Sequence, residues 1–181
     1  QDEIAHAIAN ELKVKLGAAH DKGPARDDTT DLEAYDLYLK GISLWQARGA
    51  DNIRAADRLF RAALDRDPNF AKAWAGVALV YVLIPEWTGE PLGPSWLTAR
   101  DAAEHAISLD PTLPEPFAAL GYIAVSEFRF ATGRALFARV HELAPSYATG
   151  YQWHGEGLLY EGAREEALEL TRKATELDRK S

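Results

Sequence analysis

Few of the 181 residues carry side chains suited to chemistry. Five are histidines, His6, His20, His105, His141 and His154. No two stand at the i, i+4 spacing of a helical zinc site, and no His-Glu-x-x-His run is present. Only Glu3-x-x-His6 has ligand-like spacing, and a single such pair on an amphipathic segment reads as a hydrated face. The chain has no cysteine, which removes thiolate metal sites, disulfides and cysteine nucleophiles together. Gly155-Glu156-Gly157 lies within a helical pattern and lacks the preceding strand that a phosphate-binding loop requires. Glu165, Glu166 and Glu169 are spaced to face water, where a carboxylate lacks the desolvation that acid-base catalysis uses. The sequence therefore predicts no catalytic residues, no metal site and no cofactor.

Lys and Arg total 20 against 28 Asp and Glu, a formal net charge of -8. No basic run overrides that balance, which argues against a nucleic-acid partner. The longest apolar stretch, Ala73 to Pro85, is too short to span a bilayer, so no membrane segment is expected within the chain. Met is absent as well, and the expectation is a piece of a longer polypeptide.

What must position the remaining residues is a repeat. An apolar helical pattern ends four times in a related phrase: LDRDPNF at 64–70, SLDPTL at 108–113, ELAPSY at 142–147 and ELDRKS at 176–181. A spacing of 34 residues separates Pro111 from Pro145 and Pro145 from Arg179, while 43 separate Pro68 from Pro111. Between stops run two helical patterns, such as Phe117, Leu120, Gly121, Ala124 followed by Gly133, Phe137, Val140. Each unit is thus a helix-turn-helix. Small residues at Gly41, Ala78, Gly121 and Gly155 allow the two helices to approach closely, and the prolines separate one unit from the next. Thr30 with Glu33, and Thr112 with Glu115, read as capping boxes.

The period and layout resemble the tetratricopeptide family, with an aromatic, Leu-Gly and Tyr on helix A and Ala, Phe, Ala, Pro on helix B. Repeat one supplies Leu37, Lys40, Gly41, Leu44, Ala56, Phe60, Ala63 and Pro68, and repeat two Trp74, Val77, Ala78 and Tyr81. Gly133 stands where the family has Ala, His154 where it has Leu, and Arg179 where it has Pro. The resemblance implies an all-α, right-handed superhelical array of antiparallel helix pairs, about four units over 32–181. The repeats would be 32–68, 69–111, 112–145 and 146–181. The 43-residue interval is expected to hold a protruding loop at 84–96, IPEWTGEPLGPSW, because its prolines and glycines interrupt the helical pattern. Upstream, Ile4, Ile8, Leu12 and Leu16 form one stripe of an amphipathic helix over 1–16, and 17–31 reads as a flexible linker.

The family's working surface is the concave face lined by helix A residues. Carried onto this register, that face holds Tyr38, Trp45, Lys72, Leu79, Tyr122, Trp153, Glu156 and Tyr160. Exposed Tyr and Trp on a rigid wall suit a partner's peptide or helix. Lys72 alone could serve a carboxylate clamp and the matching Asn is missing, which argues against recognition of a terminal carboxylate. The phrases QDEIA, YLKG at 38–41 and YATGYQW at 147–153 look like the repeat tails of bacterial signalling proteins with adenylate cyclase or winged-helix and TolB-like domains. That likeness implies a cytoplasmic regulatory module that binds a protein partner, its own 1–16 helix or a second copy. Two alternatives stay open: a structural spacer or dimerisation element, and a ligand sensor using a loop bearing Trp87 and Trp96.

Overall fold

A computed structural model describes residues 29–179, which form eight helices and no strand. The expected helix at 1–16 and the linker as far as residue 28 lie outside the described residues. The fold is all-α and built from helix pairs, in two compact units that divide between Leu113 and Pro114. The first unit contains α1 (Leu32–Ala47), α2 (Ala50–Arg66), α3 (Ala71–Thr88) and α4 (Leu92–Leu109). The second contains α5 (Pro114–Ser126), α6 (Phe130–Leu143), α7 (Ala148–Glu161) and α8 (Arg164–Asp178). In each, every helix packs on the next, and the two leading helices, α1 with α3 or α5 with α7, also touch.

The stop phrases work through their carboxylates as much as their prolines. The Asp67 amide donates to the Ala63 carbonyl and the Asp110 amide to that of Ala106, which closes the last turns of α2 and α4. Each side chain then folds forward: Asp67 accepts from the Asn69 amide at 3.0 Å, and Asp110 from the Thr112 amide at 2.8 Å. These are Asx turns, which redirect the chain where Pro68 and Pro111 forbid further helix. Asp110 is buried and also accepts from the Thr112 hydroxyl at 2.6 Å. That bond takes the hydroxyl out of the capping box expected with Glu115. At α1 the cap is Asp31, one residue beyond the expected Thr30; its carboxylate accepts from the Glu33 and Ala34 amides. Arg66 clasps the same carboxylate and holds it below the usual carboxylate range. The Thr29 hydroxyl donates to Asp67 at 2.6 Å, so the last residues of the expected linker are tied to the repeat.

The close-approach positions behave as their small side chains require. A Cβ on Gly41 or on Gly76 would lie 2.6 Å from the Phe60 ring, so this buried ring fills a slot that only glycine backbones leave open. In the second unit Phe137 packs over Gly121, and Val125 fills the spaces left by both Gly133 and Gly157.

The protruding loop expected at 84–96 does not form. Helix α3 runs on through Pro85 to Thr88, and α4 already begins at Leu92, which leaves only residues 89–91 between them. Pro94 falls in the first turn of α4, where a backbone N–H has no partner within the helix, so its missing donor costs nothing. Pro85 lies in the final turn of α3, which is closed by the Thr88 hydroxyl on the Ile84 carbonyl and the Gly89 amide on the Pro85 carbonyl. Gly89, at φ 73°, supplies the left-handed cap. The extra residues of the repeat therefore lengthen both helices instead of looping out.

Candidate partner-binding surface

The eight residues placed on the helix A faces fall on α1 and α3 in the first unit and on α5 and α7 in the second. Tyr38, on α1, is half-buried; its ring meets Phe70 edge-on at 5.3 Å and Phe60 at 5.9 Å. One turn pair further along, Trp45 is buried, and its indole N–H donates to the Leu79 carbonyl at 3.2 Å. The Arg48 guanidinium lies over the same indole, 3.9 Å from its centre. Leu79 is buried on α3, and Lys72 is half-buried near the start of that helix. In the second unit Tyr122 is half-buried against Trp153, ring centres 5.0 Å apart. Trp153 itself is fully covered. Glu156 accepts from the Gln152 side chain at 3.0 Å, and Tyr160 is 56% exposed.

Three of the eight therefore depart from the expected exposed wall. Trp45, Leu79 and Trp153 serve the seam between neighbouring repeats, because each lies where one A helix crosses the next. Tyr38, Lys72, Tyr122, Glu156 and Tyr160 keep part or most of their surface in water. Trp96 also differs from its expected place: it is buried, with its indole N–H on the Val82 carbonyl at 3.4 Å. Without the loop, and with Trp96 in the core, the ligand-covering lid has no structural basis.

Register alone missed two features. His141 on α6 and His154 on α7 meet, Nε2 to Nδ1 at 3.1 Å, although 13 residues separate them. The sequence signal was present: 34 residues before His154 stands Leu120, a position that faces the neighbouring helix, so an imidazole there must find a partner. Burial holds His141 below its ordinary value and pushes His154 down to about 4, with the His141 and Arg134 charges adding to the effect and Glu166 opposing it. The second feature is Phe128, in the turn between α5 and α6, 73% exposed at φ 61°. Arg134 joins Glu161 of α7 and Glu166 of α8 at 2.8 and 2.9 Å, and those carboxylates raise its pKa. Among the described residues no three His, Asp or Glu side chains gather as a metal site would need, and no helix is long and apolar enough to cross a membrane.

No family model matches the chain. Solved structures do resemble it: MamA 41-end from Desulfovibrio magneticus RS-1 aligns over 99% of this chain and 96% of its own, with TM-score 0.53 at 18% identity. A further crystal structure of MamA aligns over 91% of this chain and 85% of its own, with TM-score 0.52 at 18% identity. At that identity the likeness shows the fold, a helical repeat of tetratricopeptide type. In sequence, the chain is 31% identical over 118 residues to "Putative adenylate cyclase 3" of Rhizobium meliloti (strain 1021). That match takes in 64% of this chain and spans about a fifth, 20%, of the cyclase's length.

Proposed function

We propose that this chain is a non-catalytic interaction module that holds a peptide or helix of a partner protein on the exposed parts of its A helices, as part of a larger bacterial signalling polypeptide. The observation that carries the reading is that each unit by itself leaves side chains partly exposed on the leading helices of a tetratricopeptide-type repeat, Tyr38 and Lys72 in the first and Tyr122, Glu156 and Tyr160 in the second. Such helices present a preformed wall, so a partner segment loses its own freedom on binding but the receptor loses little. Tyrosines suit the task because they offer large area, few rotors and a hydroxyl for orientation. The match to part of a putative adenylate cyclase supports the signalling context, and we place the module in the cytoplasm on that reading.

The decisive test uses Tyr122→Ala with Tyr160→Ala, since Trp153→Ala would remove a core side chain and confuse binding with folding. The 181-residue chain and the variant are immobilised side by side and exposed to source-cell lysate, after circular dichroism has matched their melting. A partner held by the parent and lost in the variant supports the reading. Equal capture by both sinks the A-helix surface as the contact. A spacer or dimerisation element is the second reading, and it predicts a mass that rises with concentration in sedimentation equilibrium, with no capture that depends on the tyrosines.

A further inference from the structure

The contact between His141 and His154 joins two repeats, not two neighbours on one helix. His141 lies in the last turn of α6, and His154 in the middle of α7. The 3.1 Å separation places an N–H of one ring on the lone pair of the other. The rings are sandwiched: His154 stacks on Phe137 at 4.9 Å and 12°, and His141 on Tyr151 at 4.1 Å and 18°. The outer nitrogens, His141 Nδ1 and His154 Nε2, are buried with no hydrogen-bond partner among the described residues. Among the described residues no carboxylate accepts from either ring's outer nitrogen, as one does in the usual charged histidine sites.

Proton counting shows what this pair can tolerate. Neutral, it holds two ring protons, one in the bridge and one on an outer nitrogen. A third proton must enter on the remaining outer nitrogen and makes an imidazolium whose new N–H faces no acceptor. A fourth would put hydrogens on both bridging nitrogens and break the bridge. The charges that bear on His154 are those of His141 and Arg134 from α6, both unfavourable to a cation, and of Glu166 from α8, which favours it; α5 adds none. Glu166 is already engaged with Arg134 at 2.9 Å, which leaves it poorly placed to neutralise a second cation. The faces of Phe137 and Tyr151 give a cation some attraction, a smaller effect than the loss of water in a half-buried site.

We propose that the His141–His154 bridge is an acid-sensitive latch: neutral, it fastens the α7–α8 pair to α6, and protonation of the pair releases that pair while the helices of the first unit stay closed. The release is local because the bridge is the histidine contact of the α6–α7 seam, which the exposed Arg134–Glu161 pair joins at its rim, and the first unit has no histidine pair among its described contacts. Each proton taken up on opening makes the open fraction rise by up to about tenfold per pH unit below the ordinary histidine range. The downward shift of both histidines fits a closed form that prefers them neutral.

Hydrogen exchange of the whole 181-residue chain, corrected for intrinsic rates, tests this between about pH 7 and about pH 4.5. Protection over 148–178 is expected to fall by about tenfold per pH unit in the lower part of that range, with protection over 32–109 unchanged. His154→Leu, which restores the side chain found at Leu120, should hold 148–178 protected throughout. A fall of equal size in both units, or the same fall in His154→Leu, would overturn the proposal. Proton NMR of the parent chain guards against a misfolded variant: the two imidazoles should titrate as a coupled pair below the ordinary range. Two independent titrations near 6.5 would equally overturn it.

Discussion

The two units share one packing scheme and fill its seams differently. In the first, the inter-repeat space belongs to Phe60, seated against Gly41 and Gly76, and to the Trp45 indole, which donates to the backbone carbonyl of Leu79. These contacts carry no titratable group. In the second, Val125 reaches between Gly133 and Gly157, and beside it a pair of imidazoles supplies the polar contact. Identical helix order thus yields one seam without histidine and one that carries a histidine pair. In a repeat array stability is close to a sum over neighbouring interfaces, so such a difference stays where it is placed.

The comparison is broken most severely by Phe60→Ala. The ring is fully buried and its removal empties the slot between two glycines. A loss of about 3–5 kcal/mol is expected. Chemical denaturation should then show the first unit melting ahead of the second; a single unshifted transition would mean the seam is not where that unit's stability resides.

Acid should act on the other side of the comparison. The folded pKa of His154 is depressed, to about 4 against an ordinary 6.5, so the neutral form is the one folding favours. Its contribution is whole above pH 6.5 and declines as pH falls from there toward 4. At 1.36 kcal/mol per unit the ceiling is about 3 kcal/mol, lowered by the residual solvent contact of the ring. Urea titrations across that window should show the second unit weakening in the parent chain and much less in His154→Leu.

A finer cut concerns Gly133, where the tetratricopeptide pattern has Ala. A Cβ there would run into a Val125 methyl, so Gly133→Ala should cost about 1–2 kcal/mol despite the better helix propensity of Ala. Val125→Ala opens the space, and the double variant should recover part of the loss. A coupling energy near zero in that cycle would show that the two positions do not share the seam.

Much of this architecture was legible because a repeat states the same instruction several times. Pro68, Pro111 and Pro145 marked the ends of the pairs, and the spacing of 34 carried the register from one to the next. Failures came where a residue's meaning depends on its place within a helix. Pro85 and Pro94 look like breakers in a list of residues, yet one sits in a last turn and the other in a first turn, where each is tolerated. Trp45, Leu79 and Trp153 occupy positions that face a groove in a single repeat, but a neighbouring A helix covers them. The histidine bridge joins helices from different repeats, and spacing rules within one helix cannot reveal it.

The smallest effect concerns the turns that join the helices of a pair. The turn after α3 has Gly89 at φ 73°, and that after α7 has Gly162 at φ 90°. The position 34 residues before Gly162 is Phe128, held at φ 61° with its ring mostly in water and edge-on to Phe130 at 6.0 Å. A side chain in the left-handed region costs about 1–2 kcal/mol, and glycine gives part of that back through its freer unfolded chain. Phe128→Gly should therefore raise the stability of the second unit by about 0.5 kcal/mol, a shift of one or two degrees in melting. Little burial is lost with so exposed a ring. If the variant instead melts lower, the edge contact with Phe130 is worth more than the backbone strain, and the turn is a packed corner of the second unit with no counterpart at Gly162.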